Sequence, residues 1–590
     1  MVKVLKSKLL LFILGFGLLS GILNAETPRK SGQPWWKNRK IKIFVDKVYS
    51  RNAGRLLHPE AFAAIKKAGF NVICDRWHGK DLKKIEEYGN LAEKNGLKFL
   101  PWLRGTLAVK GNGLKLVTED GLEVGVYSPN SDELWAYLHK WILSYARLSL
   151  KVPIVGVFLD FELYARPKPC NAYPVSYDNK ILGKFCISKE INMPQLAPSK
   201  RYKWLKAEGL LDEFCEFQVS EWRNKCRNLR KEIDKINPYF QIVLYGGEHL
   251  VSDIAIPEWS TLDAPVIIAT SGTYGLSSPL LSQVYNLKSN QNKLLDSIAA
   301  VRKKGFPFII IGGIDPVCAG EPEFSGKNAV SISELCNGYW VFYEGFKPDS
   351  AEHREQMKWF SIANQDIDNN RFVLYREPIM KQESLISPYP EKKTNLPQVG
   401  LYGTNKHFSD FLKRSGQFEP HPFKSLSLAY LKRFDVVVLQ NFNVALPMGS
   451  YIHKILIQYV EEGGGLLLTH DTGWYFASPF PDIAVRAYPE HKVSSVRHVL
   501  DTRMVIAAPD FKDIKKGTRY NSEFMDHMIF FPGQAGRVLV KNHFDESVYV
   551  TGQYGKGRVV FSGSYYRKPP EGIEGKVLLD IFKWLSKKGK

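Results

Sequence analysis

Two carboxylates two residues apart, Asp160 and Glu162, close an apolar run, Pro153-Ile-Val-Gly-Val-Phe-Leu-Asp-Phe-Glu-Leu-Tyr164. At the period of a β-strand, Val155, Val157, Leu159 and Phe161 share one face. Ile154, Gly156, Phe158, Asp160 and Glu162 share the other. The first face is apolar throughout, as a strand covered by helices requires. The second ends in both acids, at the strand's C-terminal end, where an α/β barrel keeps its chemistry. Carboxyls at i and i+2 on a strand lie roughly 5–7 Å apart, and their mutual repulsion drives their pKa values apart. A proton donor beside a carboxylate is what glycoside hydrolysis uses, and this separation is nearer the retaining than the inverting geometry. The plain alternative is structural: Asp160 caps the next loop and Glu162 sits in a salt bridge.

A β/α alternation must position this pair. Strands are expected at Ile41–Val48, Asn71–Trp77, Leu97–Arg104, the Asp160/Glu162 segment, Phe240–Leu244, Pro265–Thr270, Phe306–Ile311 and Gly338–Tyr343. Helices are expected at His58–Gly69, Asp81–Asn95, Ser131–Leu148, Lys200–Ile236, Leu294–Lys304 and Glu352–Asn364. Ala165–Ser199 is a long connection whose Pro, Tyr, Lys and Cys content fits a functional loop over the site. Polar and aromatic residues collect at strand ends: Asp46; Asp75, Arg76, Trp77 and His78; Trp102 and Arg104; Tyr245, Glu248 and His249; Tyr274; Asp315; Trp340, Tyr343 and Glu344. Eight such units predict a (β/α)8 TIM barrel over residues 38–376. No Gly-rich fingerprint follows the first strand, so a nucleotide-binding open sheet has no support. Residues 377–397 read as a linker. Residues 398–590 repeat the alternation at Val399–Thr404, Phe434–Gln440, a helix Ser450–Glu462, Gly463–His470, Gly557–Gly563 and a helix Lys576–Ser586, a smaller three-layer α/β domain.

The chain has 590 residues, too many for one core, and an ordinary globular composition. Lys3, Lys6 and Lys8, the apolar run Leu9–Leu23 and Asn24-Ala25 have the order of a secretory signal over residues 1–25, with an uncleaved anchor as the competing reading. Export, secreted or periplasmic, permits disulfides. The seven cysteines all precede residue 337, and Cys170 with Cys186 and Cys318 with Cys336 are candidate pairs. Cys215 and Cys226 lie about three helical turns apart, too far to bridge, and Cys74 reads as a core thiol. The net charge of +21 is spread along the chain, without the patch and motif of a nucleic-acid binder. It fits a polyanionic glycan, sulfated or uronate-bearing, and equally a generic basic surface.

The barrel resembles TIM-barrel glycoside hydrolases. Gly156-Val-Phe-Leu-Asp160-Phe-Glu162 resembles the fourth-strand motif of family 18 chitinase-like enzymes, which implies Glu162 as general acid/base and Asp160 as its partner. The family's upstream Asp is absent, and Thr270-Ser-Gly-Thr-Tyr274 stands where its Met-x-Tyr-Asp would be. Resemblance to α-amylase-like enzymes would instead match Asp160 and Glu248, but Phe158 replaces that family's arginine. Family 42 β-galactosidases end strand four in Asn-Glu and strand seven in Glu, where this chain has Phe161-Glu162 and Asp315. The second domain, through Tyr459–His470 and Gly557–Gly563, is similar to their flavodoxin-like trimerisation domain and to class I amidotransferase-like domains. It has no Cys, so the amidotransferase nucleophile is missing; oligomerisation or closure over the site is implied, with His470 and Asp471 as polar loop residues.

The expectation is therefore an exported glycoside hydrolase acting on a carbohydrate, with Glu162, Asp160, Glu248 and Glu344 as the carboxylates. Trp77, Trp102, Tyr245, Tyr274, Trp340 and Tyr343 suit a glycan cleft because sugar C–H faces stack on aromatic rings. Asp75, Arg76, Arg104 and Asp315 would bind hydroxyls or anions, and the arginines could equally neutralise the acids. No metal or cofactor, nucleic acid or stable membrane partner is implied; self-association through the second domain is. A non-catalytic glycan-capture barrel is the alternative. A metal-dependent deacetylase would need His clusters, for which only His78 and His249 are available.

Overall fold

The computed structural model describes residues 34–52, 58–76, 81–163, 175–245, 255–274, 283–316, 322–348, 350–372, 394–404, 406–423, 426–440, 442, 451–470, 472–473, 479–485, 498–508, 514–524, 526–566 and 570–587. The signal segment, Trp77, His78, Glu248, His249, Asp471, Cys170, Cys318 and most of the linker lie outside them.

Eight parallel strands close a barrel: β1 (Ile41–Asp46), β2 (Val72–Asp75), β3 (Lys98–Arg104), then, after a hairpin of β4 (Lys115–Val117) and β5 (Glu123–Tyr127), β6 (Gly156–Asp160), β7 (Gln241–Tyr245), β8 (Val266–Thr270), β9 (Phe308–Ile314) and β10 (Gly338–Tyr343). The hydrogen-bonded order is β1-β10-β9-β8-β7-β6-β3-β2, a TIM barrel. Alternation along each strand builds two cores. Ile43, Val45, Cys74, Trp102, Phe158 and Trp340 fill the interior, while Phe44, Ile73, Leu103, Leu159 and Val341 meet the helices. The helices start where side chains satisfy their first amides: Asp81 accepts from Lys83 and Lys84, Ser131 from Leu134, and Ser350 from His353.

The interior face of β6 departs from the expected pattern at one end. Phe158 packs inward and Val157 and Leu159 outward, but Val155 packs against the interior core and Ile154 against the helix layer. The alternation slips where Gly156 passes the β7 backbone; a Cβ there would lie 2.1 Å from the Gln241 carbonyl oxygen.

Two connections hold structure that the sequence pattern missed. Within the expected loop 165–199, Asn179–Ser188 is helical, and Pro198–Ala207 begins the next helix, ahead of Leu211–Ile236. Leu182, Phe185, Leu205 and Phe214 share a small core with Val117 of the hairpin, so this segment is a packed outgrowth of the barrel. Between β9 and β10 lies the helix Pro322–Leu335, buried on nearly every side and rich in Ser, Asn and Gly. Its only charged stripe is the narrow one of Glu323, Lys327 and Glu334, too thin beside the buried Ser and Asn residues to mark an amphipathic helix. Gly326 lets it close on the helix Ala351–Asp368: a Cβ would stand 2.8 Å from the Trp359 carbonyl oxygen.

Cys186 and Cys336 are free thiols, which removes both candidate disulfides. Cys186 is buried in the small core, and Cys336 donates to the carbonyl oxygens of Ile332 and Gly338.

The C-terminal domain is one nine-stranded sheet. Its parallel half comprises β11 (Gln398–Tyr402), β12 (Glu419–Pro422), β13 (Val436–Leu439) and β14 (Gly465–Thr469). Two short pairs join β15 (Ala484–Val485) to β20 (Phe531–Pro532) and β16 (His498–Leu500) to β19 (Asp526–Met528). The sheet is completed by β17 (Arg503–Ile506), β18 (Arg519–Asn521), β21 (Arg537–Asn542), β22 (Ser547–Tyr554) and β23 (Gly557–Ser562), in the order β12-β11-β13-β14-β23-β22-β21-β17-β18. Helices Lys406–Arg414 and Gly572–Leu585 cover one face and Tyr451–Glu461 the other, giving three layers. β11, β13, β14 and β23 fall where strands were expected; β12 and the antiparallel extension from β22 to β18 do not. His470 ends β14 in left-handed backbone (φ 48°), buried with its Nε2 3.5 Å from Asp526 Oδ2, and is no loose loop residue.

Candidate active site

Continuing each interior row past its strand end brings polar side chains to the C-terminal mouth of the barrel. Val45 leads to Lys47, Cys74 to Arg76, Trp102 to Arg104, Phe158 to Asp160 and Glu162, Gly313 to Asp315 and Phe342 to Glu344. Tyr245 ends its own row, and Tyr274 packs inward from the loop after β8. The signs are segregated: β1, β2 and β3 bring cations, while β6, β9 and β10 bring carboxylates.

Asp160 is the most constrained of them. It is buried at 1 % exposure, beside Arg104 on the neighbouring strand in register. Its Oδ2 is ion-paired with Arg104 Nη1, and its Oδ1 accepts the Glu162 N–H at 2.8 Å. Burial pushes the Asp160 carboxyl up from its usual range, against the pull of Arg104, the Glu162 amide and Arg76. Neighbouring backbone is tied down as well. Gly105 N–H donates to the Asp160 carbonyl at 2.6 Å, Thr106 Oγ1 to the Glu162 carbonyl at 2.9 Å, and Phe161 N–H to the Tyr245 carbonyl at 2.9 Å. Glu162 is thus delivered to the mouth on a fixed backbone. Asp160 does cap the start of the next loop, as the plain reading held, and the amide it caps is that of Glu162.

Beside Glu162, on β7 and after β8, the next two strands round the barrel, stand two tyrosines. Tyr274 Oη donates to Tyr245 Oη at 2.8 Å. Burial raises both phenols well above their ordinary range, and the charges of Glu162 and Asp315 push each further up. Beneath them Trp340 is fully buried, with Nε1 donating to the Thr270 carbonyl at 3.1 Å. It meets Tyr245 edge-on at 5.1 Å and Tyr274 at 5.6 Å. Gly313 makes room for this packing: a Cβ there would lie 2.5 Å from the Thr270 oxygen and 2.8 Å from the Tyr274 ring. Trp340 is therefore the floor and not a sugar platform. Trp102 is also interior, stacked on Phe158 at 4.4 Å.

On the cationic side, Lys47 is ion-paired with Glu344 and lies 4.8 Å from the Phe342 ring. Burial lowers the Lys47 pKa; Glu344 opposes this and Arg76 adds to it. The Arg76 guanidinium lies over Trp102 at 4.5 Å and Phe342 at 4.9 Å. The sequence reading missed Lys47 and Phe342, although strand parity points to both, two residues after Val45 and two before Glu344.

Two expected site residues lie elsewhere. Tyr343 has the opposite parity and is buried among the helices against Phe44, its Oη 2.8 Å from His353 Nδ1. Asp75 follows Ile73 on the helix-facing side, in register with Asp46. Asp46 itself accepts from the amides of Val48, Tyr49 and Ser50 and caps the short helix there. Among the described residues, no cluster of three His, Cys, Asp or Glu is arranged to hold a metal ion.

No protein-family model and no curated protein matches the chain. Solved structures similar to it include a β-galactosidase from the psychrophilic Marinomonas ef1, at 12% identity, covering 92% of this chain and 91% of that chain, TM-score 0.39. A catalytic mutant of a GH42 β-galactosidase from G. stearothermophilus is 10% identical, covering 93% of this chain and 87% of that chain, TM-score 0.38. An exo-β-1,4-mannosidase from Opitutaceae bacterium strain TAV5 is 10% identical, covering 92% and 93%, TM-score 0.33. The assignment of a TIM barrel rests on this chain's own strand order. The likeness to family 18 enzymes rests on the fourth-strand residues alone.

Proposed function

We propose that the chain is a retaining glycoside hydrolase in which Glu162 is the general acid/base and Asp315 the second carboxylate. The observation that carries this is the Tyr245–Tyr274 pair: both hydroxyls feel the charge of both Glu162 and Asp315. The two hydroxyls are only 2.8 Å apart, so both acids act on the same point of the mouth, Tyr245 feeling Asp160 as well. A retaining enzyme would hold such a pair about 5–5.5 Å apart. Asp160 and Glu344 are each paired with a cation, Arg104 and Lys47. Asp160 accordingly positions Glu162 and does not attack.

In the reaction Glu162 gives its proton to the glycosidic oxygen as the C–O bond breaks, and Asp315 bonds to the anomeric carbon. Glu162, now ionised, takes a proton from water as that water displaces Asp315. The tyrosine hydroxyls supply donors and acceptors to sugar oxygens or to Asp315.

A panel of aryl glycosides and polysaccharides tests this with wild type, Glu162→Gln and Asp315→Asn, and with the anomer of the first product read by NMR. Losses of about a hundredfold or more in both variants, with the fold intact, support the pair. Full activity in Asp315→Asn moves the second carboxylate elsewhere, Glu248 being the next to test. Pairing of two mouth carboxylates with cations also suits a glycan-capture barrel; binding without any cleavage would establish that reading. The basic, apolar and small-residue order of residues 1–25 supports export of the chain.

A further inference from the structure

We infer that Arg76 forms an anion subsite at the barrel mouth, so that the sugar bound there carries a carboxylate or a sulfate. The inference rests on the glycan-processing reading above and names its substrate class. Arg76 follows Cys74 on the interior row of β2, and its guanidinium covers the rings of Trp102 and Phe342 at 4.5 and 4.9 Å. Those rings fix the plane of the fork. Its Nη1 is buried with no hydrogen-bond partner among the described residues. A buried guanidinium donor left without an acceptor is costly, and an oxyanion from the ligand would satisfy it.

The neighbours sharpen the choice of ligand. Lys47 lies 4.8 Å from the same Phe342 ring, so two cations share one partly dry corner, and Arg76 lowers the proton affinity of Lys47. Lys47 holds Glu344 and also feels Asp315, and Arg104 holds Asp160, on which Arg76 acts more weakly without a hydrogen bond. A neutral hydroxyl placed against Arg76 would leave the repulsion between the two cations in place. A carboxylate or sulfate relieves it and matches the fork in two parallel hydrogen bonds. In the strand order of the barrel, β2 with Arg76 stands opposite β7 and β8 with the Tyr245–Tyr274 pair.

Binding measured without turnover tests this. The full-length chain carrying Glu162→Gln is titrated with oligogalacturonides, with carrageenan oligosaccharides and with neutral galacto-oligosaccharides, at low and high salt. One anionic series should bind at least about tenfold tighter than the neutral one, with the advantage shrinking as salt rises. Which series wins separates carboxylate from sulfate. Adding Arg76→Met should bring the ratio of anionic to neutral affinity close to one, while Arg76→Lys keeps part of the advantage, so a failure of the Met variant to fold does not end the test. Equal binding of all three series, no binding of any, or an advantage that survives Arg76→Met overturns the inference. Wild type that cleaves only neutral glycosides overturns it and leaves the hydrolase reading standing. Anion-selective binding with no cleavage does the reverse.

Discussion

Arg104 and Asp160 face each other in register across adjacent barrel strands, and the carboxylate that the guanidinium holds is the one that accepts the Glu162 N–H. A charge pair on two strands is thereby converted into the position of a third residue. Each Asp160 oxygen has a separate task, one electrostatic and one conformational. This division makes the roles separable by mutation.

Asp160→Asn keeps an oxygen for the Glu162 amide but removes the charge beside Glu162 and leaves Arg104 without its partner. Loss of a nearby negative charge favours the ionised form of a neighbouring acid. The alkaline limb of the kcat/KM profile should therefore move to lower pH, with kcat reduced about tenfold or more and KM little changed. Asp160→Ala loses the hydrogen bond too and should cost more in kcat. A rate loss in Asp160→Asn with an unmoved pH profile would mean that Asp160 serves the fold only.

Tyr343→Phe should leave kcat and KM within about twofold of wild type and lower stability by about 1 kcal/mol, the worth of one hydrogen bond. The bond lost is the one to His353 in the helix layer. A changed KM would return Tyr343 to the site.

Tyr343 also shows how much could be read from the chain alone. The barrel was legible because apolar alternation, helix caps and strand-end polarity all repeat, and strand parity put Asp160 on the face of Phe158, where it meets Arg104. The same parity, Trp340-Phe342-Glu344, already turned Tyr343 outward; grouping strand-end aromatics by proximity concealed it. Other features left no pattern to find. The helix Pro322–Leu335 buries Ser and Asn beside its apolar residues and keeps only a narrow charged stripe, so its polar and apolar faces are hard to tell apart in the sequence. Asn179–Ser188 is held by a side core built from the β4–β5 hairpin, a long-range contact that no local window contains. The pairing of Arg104 with Asp160 depends on strand register, and the burial of Cys186 and Cys336 on the fold around them.

Glu574 predicts a pH-dependent stability unrelated to catalysis. It is buried at 3 % exposure in the C-terminal helix, with Oε2 accepting the Glu523 N–H at 2.8 Å and with Tyr549 and Tyr566 close enough to feel its charge. Burial pushes its carboxyl up to about 7, from an ordinary value of 4.5. Below about pH 4.5 the group is protonated folded and unfolded, and it imposes no penalty. As pH rises toward about 7 the unfolded chain releases the proton first, so stability falls, by about 3 kcal/mol in all. Glu574→Gln should flatten this segment of the Tm-against-pH curve relative to wild type. Parallel curves for the two proteins would show that Glu574 ionises freely in the fold.

Gly313 connects packing to the site and gives the sharpest test of the tyrosine pair. It stands in register with Trp340, and a Cβ on it would fall 2.5 Å from the Thr270 carbonyl oxygen, 2.8 Å from Tyr274 and 3.0 Å from the Trp340 ring. The Thr270 oxygen is also the acceptor of the Trp340 indole N–H, so the added methyl presses on that bond and on the Tyr274 ring together. Gly313→Ala should cost about 1–3 kcal/mol, the usual penalty for overpacking a filled core. It should also tilt Tyr274 away from Tyr245 and from Glu162 and Asp315, with kcat falling at least about tenfold. Tyr274→Phe, which removes the hydroxyl without crowding, separates the two effects: it should reproduce the loss in kcat with most of the stability kept. Activity retained in Tyr274→Phe would remove the hydroxyl pair from the chemistry and with it the observation that links Glu162 to Asp315.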